Sequence, residues 1–176
     1  MTGRTVCFSH GQESGPWGTK INALAELATR TGWGVESIDY RGMDDPQDRV
    51  NKLIDWCKAT SDPYILVGSS MGGHVATAAA AHTKPLGLFL MAPAFYMQGY
   101  ESHTPDCPDC PVTIVHGWHD DIVPWRNSLC FGEEGGASVI LIDSDHRLTA
   151  VLDDVGRYFL GFLAMIENEA KEMGDD

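Results

Sequence analysis

The chain predicts a three-layer α/β sandwich built on a mostly parallel, six-stranded sheet. Three observations carry that expectation. Short apolar runs of strand type alternate with segments of helical apolar spacing along the 176 residues. Strands separated by helices are joined by crossovers, which set them parallel in a sheet covered on both faces. The third observation is local. Tyr64-Ile65-Leu66-Val67 runs through Gly68-Ser69-Ser70-Met71-Gly72 directly into Gly73-His74-Val75-Ala76, which reads as strand, sharp turn and helix.

Taken in order, Thr5 to Ser9 is a short strand ending at His10-Gly11. Ile21, Leu24, Ala25 and Ala28 then keep the i, i+3, i+4, i+7 spacing of an amphipathic helix, which Gly32 and Gly34 stop. Val35 to Tyr40 is the second strand. Val50, Leu53, Ile54 and Cys57 repeat the helical spacing, with Asp45-Pro46 as its start. Tyr64 to Val67 is the third strand, and the alanine-rich stretch after Ser70 is the next helix. Leu86 to Met91 and Val112 to Val115 form the fourth and fifth strands, Val123 to Cys130 a short helix, and Ser138 to Ile142 the sixth strand. Leu148, Val151, Val155, Phe159 and Phe162 place one apolar stripe on a closing helix.

Only one segment breaks the alternation. Between the fourth and fifth strands, 92–111 holds Pro93, Pro105, Pro108 and Pro111 without periodicity, and reads as a short, cap-like loop within a single domain spanning 1–176. The length suits one buried core. With 25 acidic against 12 basic residues, the formal net charge is -13. That balance repels nucleic acid phosphates and disfavours an anionic membrane surface. Met1 to Arg4 leads into a strand-like run without an apolar signal region, and the five cysteines are odd in number and scattered. A reducing, cytoplasmic setting is the expectation.

The chemistry gathers at strand ends. Ser70 sits at the centre of a Gly-x-Ser-x-Gly turn, and a serine hydroxyl needs a general base oriented by a carboxylate before it can attack. The fifth strand runs into His116-Gly117-Trp118-His119-Asp120-Asp121-Ile122-Val123-Pro124, which supplies acids. The sixth runs into Asp143-Ser144-Asp145-His146-Arg147, which supplies a histidine. A parallel sheet puts all three groups at one edge, in the order Ser, Asp, His expected for this turn.

With these motifs the chain resembles an α/β-hydrolase over nearly its whole length. His10-Gly11 is similar to the family's oxyanion loop, Gly68 to Gly72 to its nucleophile elbow, His116 to Pro124 to its acid motif, and Asp145-His146 to its histidine loop. The resemblance implies Ser70 as nucleophile, His146 as general base and then acid, and Asp120 as the orienting carboxylate. It also implies that the backbone N–H groups of Gln12 and Met71 receive the oxyanion, each donor lowering the barrier by about 3 kcal/mol. The family's leading antiparallel strands are absent and its inserted cap is reduced to 92–111, so the likeness is to the minimal, lidless type. The implied activity is cleavage of a small ester or thioester through an acyl-serine, on a small-molecule acyl substrate, with no cofactor and no metal. Two other readings use the same residues: a binding protein with little turnover, and a peptidase or carbon–carbon hydrolase.

Several residues have blander expectations. Spacing from His116 favours Asp120 over the adjacent Asp121, while Asp143 and Asp145 read as solvated loop carboxylates. His10 and His116 read as packing and hydrogen-bonding groups. Cys107-Pro108-Asp109-Cys110 has the spacing of a metal half-site or redox pair but lacks a second half, so it reads as a loop with two free thiols. Trp17, Phe95, Tyr96, Tyr100, Trp118 and Trp125 fall near the catalytic edge, some to line an acyl pocket and about half as core. The loop at 92–111 is expected to govern what reaches Ser70.

Overall fold

The computed structural model describes residues 3–99 and 103–172. Tyr100, one of the candidate pocket aromatics, lies outside them. The elements are β1 (Thr5–Ser9), α1 (Thr19–Arg30), β2 (Gly34–Ile38), α2 (Pro46–Ala59), β3 (Tyr64–Ser69) and α3 (Met71–Ala80). They continue with β4 (Leu88–Met91), β5 (Val112–Gly117), α4 (Trp125–Gly135), β6 (Ser138–Ile142) and α5 (Leu152–Glu172). The sheet has the order β2-β1-β3-β4-β5-β6, and every pairing is parallel.

Alternation along each strand divides the core in two. Val6, Phe8, Ile65, Val67, Phe89 and Met91 face α1 and α5, where they meet Ile21, Leu24, Val155, Phe159 and Phe162. Phe89 is central there, edge-on to Phe159 at 5.3 Å and tilted against Phe162 at 5.6 Å. On the other face Cys7, Leu66, Leu88, Leu90 and Ile114 pack on α2, α3 and α4 through Val50, Leu53, Val75, Ala79 and Phe131. Each Val, Leu, Ile, Phe or Met side chain among them adds about 1.5–3 kcal/mol by leaving water.

Helix starts follow the sequence signals where a side chain can act on the backbone. The Asp45 carboxylate accepts the Gln47 N–H at 2.8 Å and Pro46 occupies the first turn of α2. The helix expected over Val123 to Cys130 instead runs from Trp125 to Gly135, ending where Gly136 takes a left-handed conformation at φ 77°. Its last turn, Gly132 to Gly135, has no apolar periodicity to extend the expected span.

The order of strands creates the site. Because β2 lies on one side of β1 and β3 to β6 on the other, the loops after β1 and β3 diverge and leave a crevice at their carboxyl ends. Close approach of backbone fixes the turn there. A Cβ on Gly72 would stand 2.0 Å from the Ser9 carbonyl oxygen, and one on Gly68 would stand 2.5 Å from the Gly72 oxygen. Gly72→Ala should therefore lower stability by about 3 kcal/mol or more, read as a reduced urea midpoint at constant slope. A change within about 0.5 kcal/mol would mean that the elbow does not press on β1.

Candidate active site

Ser70 is the residue between β3 and α3, and its backbone is held at φ 54°, ψ -121°. Non-glycine residues avoid that region, at a cost on the order of 1–3 kcal/mol, and persist in it only when their surroundings insist. Here they do. The Ser70 N–H donates to Met91 O at 3.0 Å, and its carbonyl accepts the N–H groups of Gly73 at 2.9 Å and Ala94 at 3.0 Å. Pro93 also lies against the backbone at Gly73, where a Cβ would meet it at 2.8 Å. The start of the Pro-rich segment thus supports the back of the elbow.

His146 follows β6 and lies across the crevice. Its Nε2 is 3.0 Å from Ser70 Oγ, and its Nδ1 is 2.6 Å from Asp120 Oδ2. Nδ1 faces a carboxylate and so carries the hydrogen, leaving the Nε2 lone pair to accept from the Ser70 hydroxyl. An imidazole in this tautomer can take the hydroxyl proton, and the carboxylate then stabilises the resulting cation.

Asp120 has no exposed side-chain surface. Its Oδ1 accepts the N–H groups of Ile122 at 2.9 Å and Val123 at 2.8 Å, an Asx-type turn that orients the carboxylate. Its Oδ2 accepts from His146 and also from His116 Nε2 at 2.8 Å. Burial pushes its pKa up, but the donors at His116, His146, Val123 and Ile122 outweigh burial and hold the carboxyl well below the usual range. Asp121 is exposed and makes none of these contacts. Asp143 pairs at the surface with His119 at 2.9 Å, and Asp145 accepts the Arg147 and Leu148 amides.

His116 does more than the packing and hydrogen bonding expected of it. Fully buried on β5, its Nε2–H reaches both Asp120 and the Val123 carbonyl at 3.0 Å, while Nδ1 accepts from Ser128 Oγ at 2.8 Å. The resulting line of contacts runs Ser128, His116, Asp120, His146, Ser70. The i, i+4 spacing of His116 and Asp120 signals proximity in the chain, but not that two imidazoles share one oxygen.

The loop after β1 brings Gln12 to the same crevice. His10 Nε2 accepts the Tyr40 N–H at 2.9 Å and its Nδ1 donates to Gly11 O at 2.7 Å, so both ring nitrogens brace this loop. Burial keeps its pKa below the ordinary histidine value. Arg49, 2% exposed on α2, adds Nη1 to Gly11 O at 3.3 Å and Nε to Met43 O at 2.7 Å. Sequence reading missed this buried cation, since an arginine on an amphipathic helix ordinarily faces water. Met71 opens α3, where the N–H has no intrahelical acceptor.

A cleft of about 790 Å³ opens beside Ser70 and His146, walled by Gln12, Ser14, Lys20, Ile21, Ile122 and Arg147 among others. Its lining comes from the loop after β1, the start of α1 and the segments around Asp121 and His146. Here two expectations fail. None of the candidate aromatics among the described residues lines it, and neither do 92–99 or 103–111. Phe95 instead stacks on Phe131 at 4.2 Å in the core, and Tyr96 donates its hydroxyl to Glu134 at 2.8 Å. Trp118 meets Trp125 edge-on at 4.9 Å on the surface. Cys107 packs against Gly135, both thiols of Cys107 and Cys110 are raised by burial, and Cys110 reaches about 11. Among the described residues no group of three or more His, Cys, Asp or Glu is arranged to hold a metal ion.

Comparison with known proteins agrees with this architecture. A family model described as the alpha/beta hydrolase family matches residues 7–163. A hydrolase of the alpha/beta superfamily from Xanthomonas campestris pv. campestris superposes with a TM-score of 0.85 at 32% identity, over 93% of this chain and 99% of that one. Mouse alpha/beta hydrolase domain-containing protein 10 has the same fold at a TM-score of 0.78 and 21% identity, over 92% and 90%. In sequence, the palmitoyl-protein thioesterase ABHD10, mitochondrial, of Homo sapiens is 26% identical over 84% of this chain and 68% of its own length. That alignment runs over 209 positions against the 176 residues here, so the relative carries inserted segments that this chain lacks.

The Asp120 contacts make a prediction about stability. A carboxyl depressed in the fold favours the folded state above its unfolded pKa of about 3.9 and loses that contribution as pH falls through the folded value. Asp120→Asn, which turns an amide N–H toward at least one existing donor, should cost about 2 kcal/mol or more at pH 7. The gap from the wild type should narrow below about pH 4, as urea titrations at several pH values would show. A gap independent of pH would deny that the charge of Asp120 carries the effect.

Proposed function

The chain belongs to the alpha/beta hydrolase family, and from that premise we propose that it is a serine hydrolase cleaving a small ester or thioester through an acyl-serine. The observation that carries this reading is the continuous contact from Ser70 Oγ through His146 to Asp120, at 3.0 and 2.6 Å. Ser70 Oγ attacks the substrate carbonyl as its proton passes to His146 Nε2. Asp120 stabilises the imidazolium, and the negative oxygen of the tetrahedral intermediate is received by the N–H groups of Met71 and Gln12. His146 returns the proton to the leaving alcohol or thiol, and a water activated the same way releases the acid. This chemistry asks for no metal or organic cofactor.

The walls of the cleft favour a small substrate. Ile21 and Ile122 are the large aliphatic side chains among residues that are otherwise mostly polar or glycine, an environment suited to a short acyl group more than to a long alkyl chain. The thioesterase activity in the name of the ABHD10 relatives supports the acyl-transfer reading.

A fluorophosphonate probe should label the protein once, at Ser70, and Ser70→Ala should abolish labelling and reduce kcat at least about 10³-fold. Equal labelling of the variant would remove Ser70 from the mechanism. Turnover of a short acyl ester should decline on the acid side, because a protonated imidazole cannot accept the hydroxyl proton while Asp120 remains ionised there. A rate that does not fall toward acid would argue against a histidine base.

A further inference from the structure

Lys20 stands in the second position of α1 and lines the cleft that holds Ser70 and His146. It is half-buried, and among the described residues its ammonium makes no hydrogen bond or ion pair, Asp120 and Asp145 acting on it only from a longer distance. Most lysines extend into water, where an unpaired charge is inexpensive. A cation partly withdrawn from water without a partner is disfavoured, and such groups concentrate at functional sites.

We propose that Lys20 is an anion-recognition group of the catalytic cleft, so that the favoured ester or thioester carries a carboxylate or phosphate within reach of its scissile carbonyl. The inference rests on Ser70 being the nucleophile of that cleft. Bound substrate supplies the direct counter-charge that Asp120 and Asp145 offer only from a distance.

The other charges around Lys20 are already engaged or solvated. Asp120 and Asp145 are near enough to stabilise its charge, yet neither forms an ion pair with it. Asp120 is committed to His116, His146 and two amides, and Asp145 to the Arg147 and Leu148 amides. Glu13 and Asp121 are exposed, and Arg147 adds an exposed positive charge to the same wall. His10 and His146, the remaining titratable groups of the cleft, are each engaged through both ring nitrogens. Burial lowers the Lys20 ammonium to about 8, against the opposing pull of Asp120 and Asp145. It is therefore charged at neutral pH and loses that charge in mild alkali.

The test compares kcat/KM for matched esters. On the acyl side, 4-methylumbelliferyl hemi-adipate is set against 4-methylumbelliferyl hexanoate. On the alcohol side, the hexanoate ester of 3-hydroxybenzoic acid is set against that of its methyl ester. The wild type should prefer the charged member of one pair by about tenfold or more, the size of one charge-assisted contact. The pair that shows the preference identifies the side of the scissile bond that bears the anion. Lys20→Met, which keeps the aliphatic stem, should erase the preference; Lys20→Arg should retain most of it, and it should fade above about pH 8 in the wild type. No preference in either pair, or one that survives in Lys20→Met, overturns the proposal.

If no ester turns over, the esterase reading fails separately, and calorimetric titration with monomethyl adipate still decides the subsite. Binding by the wild type that is lost in Lys20→Met upholds it, and equal or absent binding rejects it. Thermal midpoints of the variants verify that they fold.

Discussion

Asp120 keeps its negative charge without solvent contact because four donors converge on its two oxygens. Two are amides of its own turn, and two are imidazoles that share Oδ2. The amides aim the carboxylate, His116 holds it from the core side, and His146 receives what orientation remains. An ionised carboxylate in this setting would be prohibitive if unpaired. The groups around it are therefore bound to their positions as firmly as it is. Ser128, buried on α4, extends the same constraint into the packing by donating to His116.

The sheet delivers the remaining geometry. Its strand order leaves a crevice between the loops after β1 and β3, and the elbow places Ser70 there by pressing glycine backbone onto β1. Two cores of large aliphatic and aromatic side chains hold the strands so that this strained residue cannot relax. Arg49 and Tyr40 then fix the His10 loop from the far side. Four loops from four strand ends meet at one cleft, and no single one of them contains the site.

The fold was readable from the chain to a large extent because its signals are local. β1 and β6 span the residues their apolar runs indicate, and α2 begins at the Asp45-Pro46 signal. Boundaries shifted where the end of an element is set by backbone pairing or a glycine, as with β5 continuing through His116-Gly117 and α4 continuing to Gly135. Ser70, Asp120 and His146 were legible as candidates because each follows a strand, and parallel strands end on one edge. Their separations depend on tertiary packing. The same is true of the contacts that sequence could not reveal: the second imidazole on Asp120, the buried Arg49 beneath the β1 loop, and the unpaired Lys20 in the cleft. Helical spacing says that Arg49 and Lys20 lie on a helix, but not which neighbours surround them. The Pro-rich 92–111 drew attention by composition, yet what its described residues contribute to the site is support behind the elbow, and the described wall of the cleft comes from other segments.

Asp120 as the shared acceptor of two imidazoles is the center of this account, and proton NMR observes it directly. An imidazole N–H donating to a buried carboxylate is strongly deshielded and exchanges slowly. The wild type should show two such resonances, assignable to His116 and His146 by loss of one each in His116→Gln and His146→Gln. Both should disappear or move far upfield in Asp120→Ala, and both should persist in Asp121→Ala. Retention of both in Asp120→Ala, or their loss in Asp121→Ala, would contradict the arrangement on which the proposed chemistry depends.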